Sequence, residues 1–176
     1  MCSGNGTNFQ NVVTNPVCNT NEVVLMIHNT KHCGAVKRAA KFGIPHVRIA
    51  HKDEDQMIKL FETWRVDLIV LAGYMRVIKN PDAFPCPIIN IHPSLLPKYK
   101  GLHAIEQALD SGDEITGVSV HYVNEELDGG EIICQQEVPI LPDDDLESLT
   151  KAIQRVEYGI LPAAIDFLAR YKIGLC

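Results

Sequence analysis

Apolar residues along this chain fall into short, nearly continuous runs that alternate with segments of helical spacing. Strand-like runs occupy residues 22–28, 46–50, 67–73 and 86–92. Between these runs, residues 34–43 and 53–64 place apolar side chains at helical spacing, and Gly43 stands where a helix would stop. Near-continuous apolar strands separated by helices are typical of a parallel sheet that is covered on both faces. The pattern therefore predicts an α/β fold.

The C-terminal part of the chain has a different pattern. After a helical segment at residues 104–112, residues 117–124 and 130–140 alternate apolar and polar side chains more regularly, and a short loop joins them. This spacing predicts an antiparallel hairpin at the edge of the sheet. The acidic run at residues 143–145 suits the positive N-terminal end of a helix. That helix is predicted as one amphipathic element with the apolar stripe Leu146, Leu149, Ile153, Val156 and Ile160.

Length and composition fit a single domain over residues 1–176. No apolar run approaches the roughly 18 residues of a membrane helix, and the first ten residues lack the basic patch and apolar core of a signal peptide. In an α/β fold the first glycine-rich turn normally follows a strand, but only Met1 and Cys2 precede the turn at residues 3–6. The expectation is one domain whose first strand is truncated.

Charge and cysteine usage narrow the classes of partner. The formal net charge of -6 argues against a nucleic-acid backbone as the main partner but leaves room for a small anionic ligand in a local pocket. The six cysteines form no C-x-x-C pair and have no metal-like spacing. Free thiols in a reducing cytoplasm, and no metal site, are therefore expected.

Two polar side chains end the fourth strand-like run. Asn90 and His92 are two residues apart, so a strand would point both to the same face. Ligands of parallel α/β sheets bind at the carboxyl ends of the strands. An amide and an imidazolium that converge there could donate hydrogen bonds to one carbonyl oxygen and stabilise the oxyanion that forms on it. The alternative is a strand-end histidine that bonds to the backbone.

Asp128 lies in a turn with two glycines, "DGG", at residues 128–130. A carboxylate close to His92 would keep its imidazole protonated. The alternative is an Asp-Gly hairpin turn without a chemical role. His121 follows the alternation of the neighbouring predicted strand, and we expect it to be packed and hydrogen-bonded rather than catalytic.

The stretch "SGNGTNFQ", residues 3–10, predicts a glycine-rich turn followed by a helix. Thr7 and Gln10 have the spacing of a capping box at the start of that helix. Free backbone amides at such a helix end bind phosphate well. Because Phe9 stands where a dinucleotide fingerprint has its third glycine, and no G-K-[ST] follows, a monophosphate is favoured over NAD or ATP. The alternative is a plain helix cap.

Gln154 and Glu157 are three residues apart on the last predicted helix, so they share one side of it. They lie beside the apolar stripe rather than opposite it. From the residues alone, a solvated helix face is the ordinary interpretation.

Several stretches occur in the order and approximate spacing of one family: "SGNGTN", "DLIVLAGYMRVI", "INIHPSLLPKYKGLHAIEQAL", "GVSVHYVNEELDGGEII" and "RVEYGILP". Together they resemble the phosphoribosylglycinamide formyltransferases, the folate-dependent enzymes of purine synthesis. The likeness covers nearly the whole chain. "NIHPSLLP" followed by "ELDGG" is specific for folate formyl-transferring domains as a group. "SGNGTN" and the small size narrow the resemblance to the phosphoribosylglycinamide formyltransferases. It implies a Rossmann-like, mostly parallel sheet flanked by helices, with an antiparallel C-terminal hairpin.

The resemblance also implies a set of site residues. The catalytic trio of the family falls on Asn90, His92 and Asp128. The phosphate of glycinamide ribonucleotide would lie on Gly6, Thr7 and Asn8, and its ribose would be held by Glu157 and Gln154. The folate of 10-formyltetrahydrofolate would lie against Met75, Arg76, Val77 and Ile78, the loop at residues 124–128, and Asn90 and Asp128 of the trio.

The reaction implied by the resemblance is direct transfer. The glycinamide amine attacks the formyl carbon, and Asn90 and His92 hold the tetrahedral oxyanion. Asp128 keeps His92 charged and orders the water that moves a proton from the amine to the leaving nitrogen. No metal, covalent nucleophile or catalytic cysteine is implied. The expected partners are these two small molecules, with no nucleic acid and no membrane, for a monomer or a homodimer.

Three other functions are alternatives. Formyltetrahydrofolate hydrolases share the trio but pass the formyl group to water, and they usually carry an N-terminal regulatory domain for which 176 residues leave no room. Methionyl-tRNA formyltransferases share the core but would need a C-terminal tRNA-binding domain and a more basic surface. A non-catalytic binder of a phosphorylated metabolite or folate is the third alternative, and the presence of all three candidate catalytic side chains argues against it.

Overall fold

Six strands form two sheets in the computed structural model, which describes residues 1–50 and 52–171. The first sheet has two strands, β1 (Met26–His28) and β2 (His46–Arg48), which run parallel. The second sheet has four strands in the order β3, β4, β5 and β6. Their bounds are Ile69–Leu71, Ile88–His92, Ile115–Tyr122 and Ile132–Pro139.

Five α-helices accompany the strands. Their bounds are α1 Thr7–Thr14, α2 Ala35–Lys41, α3 Glu54–Thr63, α4 Ala104–Ser111 and α5 Leu146–Tyr171. Short 3-10 turns occur at Pro16–Cys18 and Pro81–Ala83. Strands and helices alternate through the first half of the chain, so the predicted α/β class is confirmed. Within the described residues, no helix combines the length and the apolar character needed to cross a membrane.

Strand pairing in the larger sheet changes direction once. Strands β3 and β4 are parallel, whereas β4 and β5, and then β5 and β6, are antiparallel. The predicted antiparallel hairpin is therefore confirmed as β5 and β6. Strand β4 lies between two neighbours, β3 and β5, and its residue Ile89 is fully buried. A strand paired along both edges is a rigid support for side chains at its carboxyl end.

Helix α5 packs on β5 and β6 and also contacts α1. In the predicted stripe, Leu149 and Ile153 are fully buried, and Val156 and Ile160 are partly buried against the same core. Leu146 is 43% exposed and lies outside the core. The helix is longer than the stripe, since it continues through Pro162 to Tyr171. Asp145 accepts a hydrogen bond from the backbone N–H of Ser148 at 2.8 Å, so the acidic run caps this helix as predicted.

Two predicted strands are shorter than the apolar runs that suggested them. The run at residues 22–28 forms a strand only over Met26–His28, and the run at 67–73 only over Ile69–Leu71. A strand requires a neighbour that supplies backbone hydrogen bonds. Strand β1 pairs with β2 only over Met26–His28, and β3 pairs with β4 only over Ile69–Leu71, so the other residues of both runs are not strand.

Candidate active site

The carboxyl end of β4 carries the two side chains that the sequence singled out. Asn90 is opposite Leu71 of β3 and opposite His121 of β5, while His92 is opposite Ser119 of β5. Both side chains reach the same carboxylate, that of Asp128: Asn90 Nδ2 lies 3.4 Å from Oδ1, and His92 Nδ1 lies 3.3 Å from Oδ2. The strand alternation thus points both side chains in one direction, and the three predicted catalytic residues form one cluster.

Both ring nitrogens of His92 face oxygen atoms that can accept a hydrogen bond. Nε2 lies 2.8 Å from the carbonyl oxygen of Tyr99 and, since that oxygen only accepts, Nε2 is the donor. Nδ1 faces Asp128, so the doubly protonated ring satisfies both acceptors. The Nδ1 contact of 3.3 Å is longer than the roughly 2.7–2.9 Å of a strong charged pair, which leaves the Nδ1 proton free to serve a closer acceptor.

Asp128 is fixed by the loop between β5 and β6, where its backbone has a φ of +48°. Its Oδ2 accepts a hydrogen bond from the backbone N–H of Gly101 at 2.8 Å. Burial raises the pKa of this carboxyl, but His121, the Gly101 N–H and His92 lower it by more, so the pKa lies below its usual range. The carboxylate is therefore ionised at neutral pH and places a negative charge beside the His92 ring.

His121 belongs to the same cluster. Its ring is almost fully buried, and Nδ1 donates to the carbonyl oxygen of Tyr122 at 2.8 Å. Nε2 lies 3.3 Å from Asn90 Nδ2 and 3.5 Å from Asp128 Oδ1. A neutral ring accepts at Nε2 from the Asn90 amide, and a protonated ring donates to Asp128. The expectation that His121 is packed and hydrogen-bonded is confirmed, and its contacts hold the Asn90 amide in place.

A buried network holds the loop at residues 93–101 against the sheet. Ser119 Oγ donates to the carbonyl oxygen of Ser94 at 2.6 Å and accepts from the backbone N–H of Leu96 at 3.0 Å. Gln135 Nε2 donates to the carbonyl oxygen of Leu96 at 3.0 Å and to Ser119 Oγ at 2.8 Å. This loop contributes the carbonyl and the N–H groups that contact His92 and Asp128, so side chains of β5 and β6 position the cluster through the backbone.

The glycine-rich turn before α1 has a different cap from the predicted one. Gly6, with a φ of +73°, is the N-cap, and no side chain bonds to the first turn. A Cβ at Gly6 would lie 2.5 Å from Cβ of Ala35, so only glycine fits there. The side chain of Gln10 accepts a hydrogen bond from Arg38 instead. The capping-box prediction for Thr7 and Gln10 is therefore wrong, and the first-turn amides have no side-chain acceptor.

Gly6→Ala is expected to lower Tm by about 5–10 °C, since a positive φ and an overpacked Cβ each cost on the order of 1–2 kcal/mol. Thermal unfolding followed by circular dichroism measures the shift. Gly4→Ala is the matched control, because a Cβ at Gly4 has nothing within 4 Å and Gly4 has no positive φ. Equal Tm values for the two variants would contradict the packing described for Gly6.

Asn8 and Glu157 meet where α1 packs on α5. Asn8 Nδ2 donates to Glu157 Oε2 at 3.0 Å, and Asn11 Nδ2 donates to the carbonyl oxygen of Tyr158 at 2.7 Å. Burial raises the pKa of Glu157, and the hydrogen bond from Asn8 offsets only part of that rise. Gln154, one turn earlier on α5, is exposed. The structure therefore brings Glu157, but not the side chain of Gln154, into contact with the predicted phosphate turn.

Glu157→Gln is expected to raise Tm at pH 7.5 by about 2–4 °C, the response to roughly 1 kcal/mol in a domain of this size. A carboxyl whose folded-state pKa is raised destabilises the fold once pH rises above the unfolded value of about 4.3. Below that pH both states are protonated, so the two proteins should have the same Tm at pH 4 or lower. A lower Tm for Glu157→Gln at pH 7.5 would contradict this assignment.

The segment after β3 lies beside the glycine-rich turn, because the backbone N–H of Met75 donates to Ser3 Oγ at 2.8 Å. Met75 is 60% exposed, and Arg76 and Val77 are exposed as well. Ile78 differs from its neighbours, since it is 3% exposed and packs in the apolar core. Of the four residues predicted to line a folate site, three therefore offer side chains to a ligand, and Ile78 offers only backbone.

Four cysteines of the described chain, Cys2, Cys18, Cys33 and Cys134, are free thiols. Burial raises the pKa of the Cys2, Cys18 and Cys134 thiols. A thiol with a raised pKa is a poor nucleophile at neutral pH. The prediction of free thiols agrees with these positions.

Residues 1–165 match the family described as formyl transferase, which is nearly the whole chain. The chain belongs to the formyltransferase family. This formyltransferase is 36% identical over 188 residues to the phosphoribosylglycinamide formyltransferase of Haemophilus influenzae, covering 99% of this chain and 88% of that protein. The resemblance stated from the motifs is confirmed.

Solved structures support the same assignment. The phosphoribosylglycinamide formyltransferase of Anaplasma phagocytophilum superposes on this formyltransferase with a TM-score of 0.90 and 35% identity, covering 96% of this chain and 84% of that one. The enzyme of that name from Bacillus halodurans gives a TM-score of 0.88 and 38% identity, covering 95% and 92%. The formyltransferase fold predicted from the resemblance is confirmed.

A longer relative contains a region similar to this formyltransferase. The trifunctional purine biosynthetic protein adenosine-3 of Drosophila melanogaster is 41% identical to it over 181 residues. That match covers 96% of this chain but only 13% of the Drosophila protein. The chain thus corresponds to a small part of the trifunctional protein and to most of the bacterial enzymes.

Proposed function

We propose that this formyltransferase transfers the formyl group of 10-formyltetrahydrofolate to the amine of glycinamide ribonucleotide. The observation that carries the proposal is the cluster of Asn90, His92 and Asp128 at the carboxyl end of β4. Its geometry combines two donors with one ionised carboxylate within 3.4 Å. The similarity to phosphoribosylglycinamide formyltransferases over nearly the whole chain supports the choice of substrates.

Transfer proceeds by direct attack of the amine on the formyl carbon. A new carbon–nitrogen bond forms, and negative charge develops on the formyl oxygen, where His92 Nδ1 and Asn90 Nδ2 donate hydrogen bonds. Both donors make only long contacts at rest, of 3.3 Å from Nδ1 to Asp128 and 3.4 Å from Nδ2 to Asp128, so each can turn to a closer oxyanion. The bond from carbon to the folate nitrogen then breaks, and a proton passes from the amine to that nitrogen.

Asp128 supports this step through charge. Its carboxylate stabilises the protonated form of His92 and lies where a water can pass the proton between the two nitrogens. Its own position depends on the Gly101 N–H, which donates to Oδ2 at 2.8 Å. The residue thus orients and charges the donor rather than attacking the substrate.

The two substrates bind to different groups of residues in this proposal. The phosphate of the ribonucleotide lies on the first-turn amides of α1, at Gly6, Thr7 and Asn8. The ribose is held by Glu157, and Gln154 lies at the edge of the ribose site. The folate lies against Met75, Arg76 and Val77, the backbone of Ile78, and the loop at residues 124–128. Buried free thiols support a reducing cytoplasm as the location. A monomer or a homodimer stays the prediction for the oligomeric state.

Absorbance of the folate, followed with and without glycinamide ribonucleotide, tests the proposed reaction. Loss of the formyl group that requires the ribonucleotide supports a transferase. Loss at the same rate without it would mean that water is the acceptor, as in formyltetrahydrofolate hydrolases. No loss from folded protein under either condition would leave a binder of phosphate or folate and contradict the proposal.

A further inference from the structure

The loop at residues 93–101 holds both His92 and Asp128 through backbone groups. The carbonyl oxygen of Tyr99 accepts from His92 Nε2 at 2.8 Å, and the N–H of Gly101 donates to Asp128 Oδ2 at 2.8 Å. If the peptide group after Tyr99 rotated, Nε2 would lose its acceptor. The orientation of the His92 ring therefore depends on the backbone conformation of Tyr99.

Tyr99 has a backbone conformation that aromatic residues rarely adopt. Its φ is +55°, which lies in the left-handed region. That region is unfavourable for a residue with a Cβ, because the Cβ comes too close to the following carbonyl oxygen. Such a conformation persists only where contacts with the surrounding structure fix it. The contacts of Tyr99 therefore decide where its carbonyl group points.

Two sets of hydrogen bonds hold Tyr99 in this conformation. The first set fixes the residue before it: the Lys98 carbonyl accepts from Ser94 Oγ at 2.5 Å, and the Lys98 N–H donates to the Leu95 carbonyl at 3.0 Å. The second fixes the far end of its side chain, where the Tyr99 hydroxyl donates to Asp113 Oδ2 at 2.6 Å. With the preceding residue and the ring both held, the Tyr99 backbone has little freedom to turn.

Asp113 is well placed to anchor the tyrosine. It lies between α4 and β5, where its N–H donates to Ser111 Oγ at 3.1 Å, and the carbonyl of the next residue, Glu114, accepts from the Ile140 N–H at 2.8 Å. Hydrogen bonds from Lys98 and Tyr99 hold the pKa of the Asp113 carboxyl below its usual value, so it is ionised at neutral pH. The distance of 2.6 Å from the hydroxyl is that of a charge-assisted bond.

We propose that Asp113 is a positioning residue for formyl transfer, acting on the His92 ring through the hydroxyl and then the carbonyl group of Tyr99. Asp113 anchors the tyrosine side chain, and the anchored tyrosine keeps its carbonyl directed at His92 Nε2. With Nε2 bound there, Nδ1 stays directed at the formyl oxygen. The expected effect on rate rests on the proposed transfer reaction, whereas the orientation of the ring can be measured in the resting protein.

The second partner of Asp113 contributes less to this arrangement. Lys98 Nζ donates to the same carboxylate oxygen at 2.6 Å, but the Lys98 side chain is 60% exposed. An exposed ion pair adds little stability, because water and salt screen it. Tyr99 is only partly exposed and carries the carbonyl that contacts His92. The connection from Asp113 to the active site therefore passes through Tyr99.

Three variants and one control test the proposal. Tyr99→Phe removes only the hydroxyl, Asp113→Ala removes its acceptor, and Asp113→Asn keeps an oxygen that can accept from it. Tyr171→Phe makes the same chemical change at a tyrosine that is 67% exposed at the end of α5. The readouts are kcat, both KM values, Tm, and the rate at which the His92 Nε2 proton exchanges with water, measured by NMR. The Nδ1 proton of His121, which is bonded to the Tyr122 carbonyl, is the internal reference.

Tyr99→Phe and Asp113→Ala are each expected to lower kcat by about 10-fold, with both KM values within about twofold of the parent. Both should also speed exchange of the His92 Nε2 proton by about 10-fold and leave the His121 reference unchanged. Asp113→Asn should keep most of the activity, and Tyr171→Phe all of it.

A folded Tyr99→Phe protein with the kcat of the parent would overturn the proposal. A lower kcat with unchanged exchange of the Nε2 proton would overturn it too, because the loss would then not pass through the ring of His92. If the parent showed no transfer to the ribonucleotide, the proposed function would fail by itself. Unequal exchange rates would still show that Asp113 positions the ring, and equal rates would contradict it.

Discussion

His92→Ala is expected to lower kcat for formyl transfer by about 10²–10³-fold while leaving the KM for the ribonucleotide nearly unchanged. The loss follows from removing the donor that faces the developing oxyanion, and the range is that of a single donor removed from such a site. Steady-state kinetics with both substrates varied measures the effect. A binder without catalytic activity would have no turnover to lose.

The alanine change also leaves the Tyr99 carbonyl without its donor, so a second variant separates folding from chemistry. His92→Gln places an amide near the position of Nε2 and keeps the bond to Tyr99, but it supplies no proton at the position of Nδ1. It should therefore keep a Tm close to that of the parent and lose kcat as the alanine variant does. His32→Ala, at an exposed histidine outside the cluster, is the control for both. Full activity in His92→Gln would contradict the role given to Nδ1.

Asp128→Asn is expected to lower kcat by about 10²–10⁴-fold, the range for loss of a group that assists proton transfer. Asparagine still accepts from the Gly101 N–H, so the loop keeps its position. What is lost is the negative charge beside His92, and with it the support for the protonated ring. Asp110→Asn, on the exposed side of α4, is the matched control and should keep full activity.

The stability of the fold should depend on the charge of Asp128, and therefore on pH. The folded-state pKa of Asp128 is lowered, so the carboxylate stabilises the fold above the unfolded value of about 3.9. That contribution is lost as pH falls through the lower folded-state pKa. Asp128→Asn should therefore have a lower Tm than the parent at pH 7, and the difference should shrink below about pH 4. A difference that grew toward acid pH would contradict the lowered pKa.

Strand alternation was sufficient to predict that the side chains of Asn90 and His92 lie together. Asn90 and His92 point in one direction because side chains two apart share a face of a strand, and this rule needs no tertiary information. Asp128 was a weaker candidate, since an Asp-Gly turn is common. The motif resemblance made Asp128 a stronger candidate. The structure places its carboxylate oxygens within 3.4 Å of Asn90 Nδ2 and His92 Nδ1.

The part played by His121 could not be predicted from its own position. It contacts Asn90 because β5 pairs with β4 in the register that sets these two residues opposite each other. That register depends on antiparallel pairing across a long connection, and a bulge between Val120 and His121 shifts the pairing of β5 with β6. The carbonyl of Tyr99 and the N–H of Gly101 were also missed, because backbone groups have no residue-type signature.

Two errors in the predicted elements have a common origin in packing between segments. The capping box at Thr7 was a valid local pattern, but the close approach of Ala35 to Gly6 sets the cap instead. The apolar runs at residues 22–28 and 67–73 predict full strands, yet they are strands only where they pair with β2 and with β4. Local propensity gave the type of each element, and neighbours decided where it ends.

The most direct test of formyl transfer by this protein uses 10-formyltetrahydrofolate with an isotopically labelled formyl carbon. After incubation with glycinamide ribonucleotide, mass spectrometry locates the label. Transfer to the amine predicts one labelled formyl group on the ribonucleotide for each folate consumed, and no such product with His92→Gln. Label recovered only as free formate, with the ribonucleotide unchanged, would contradict the transfer reaction.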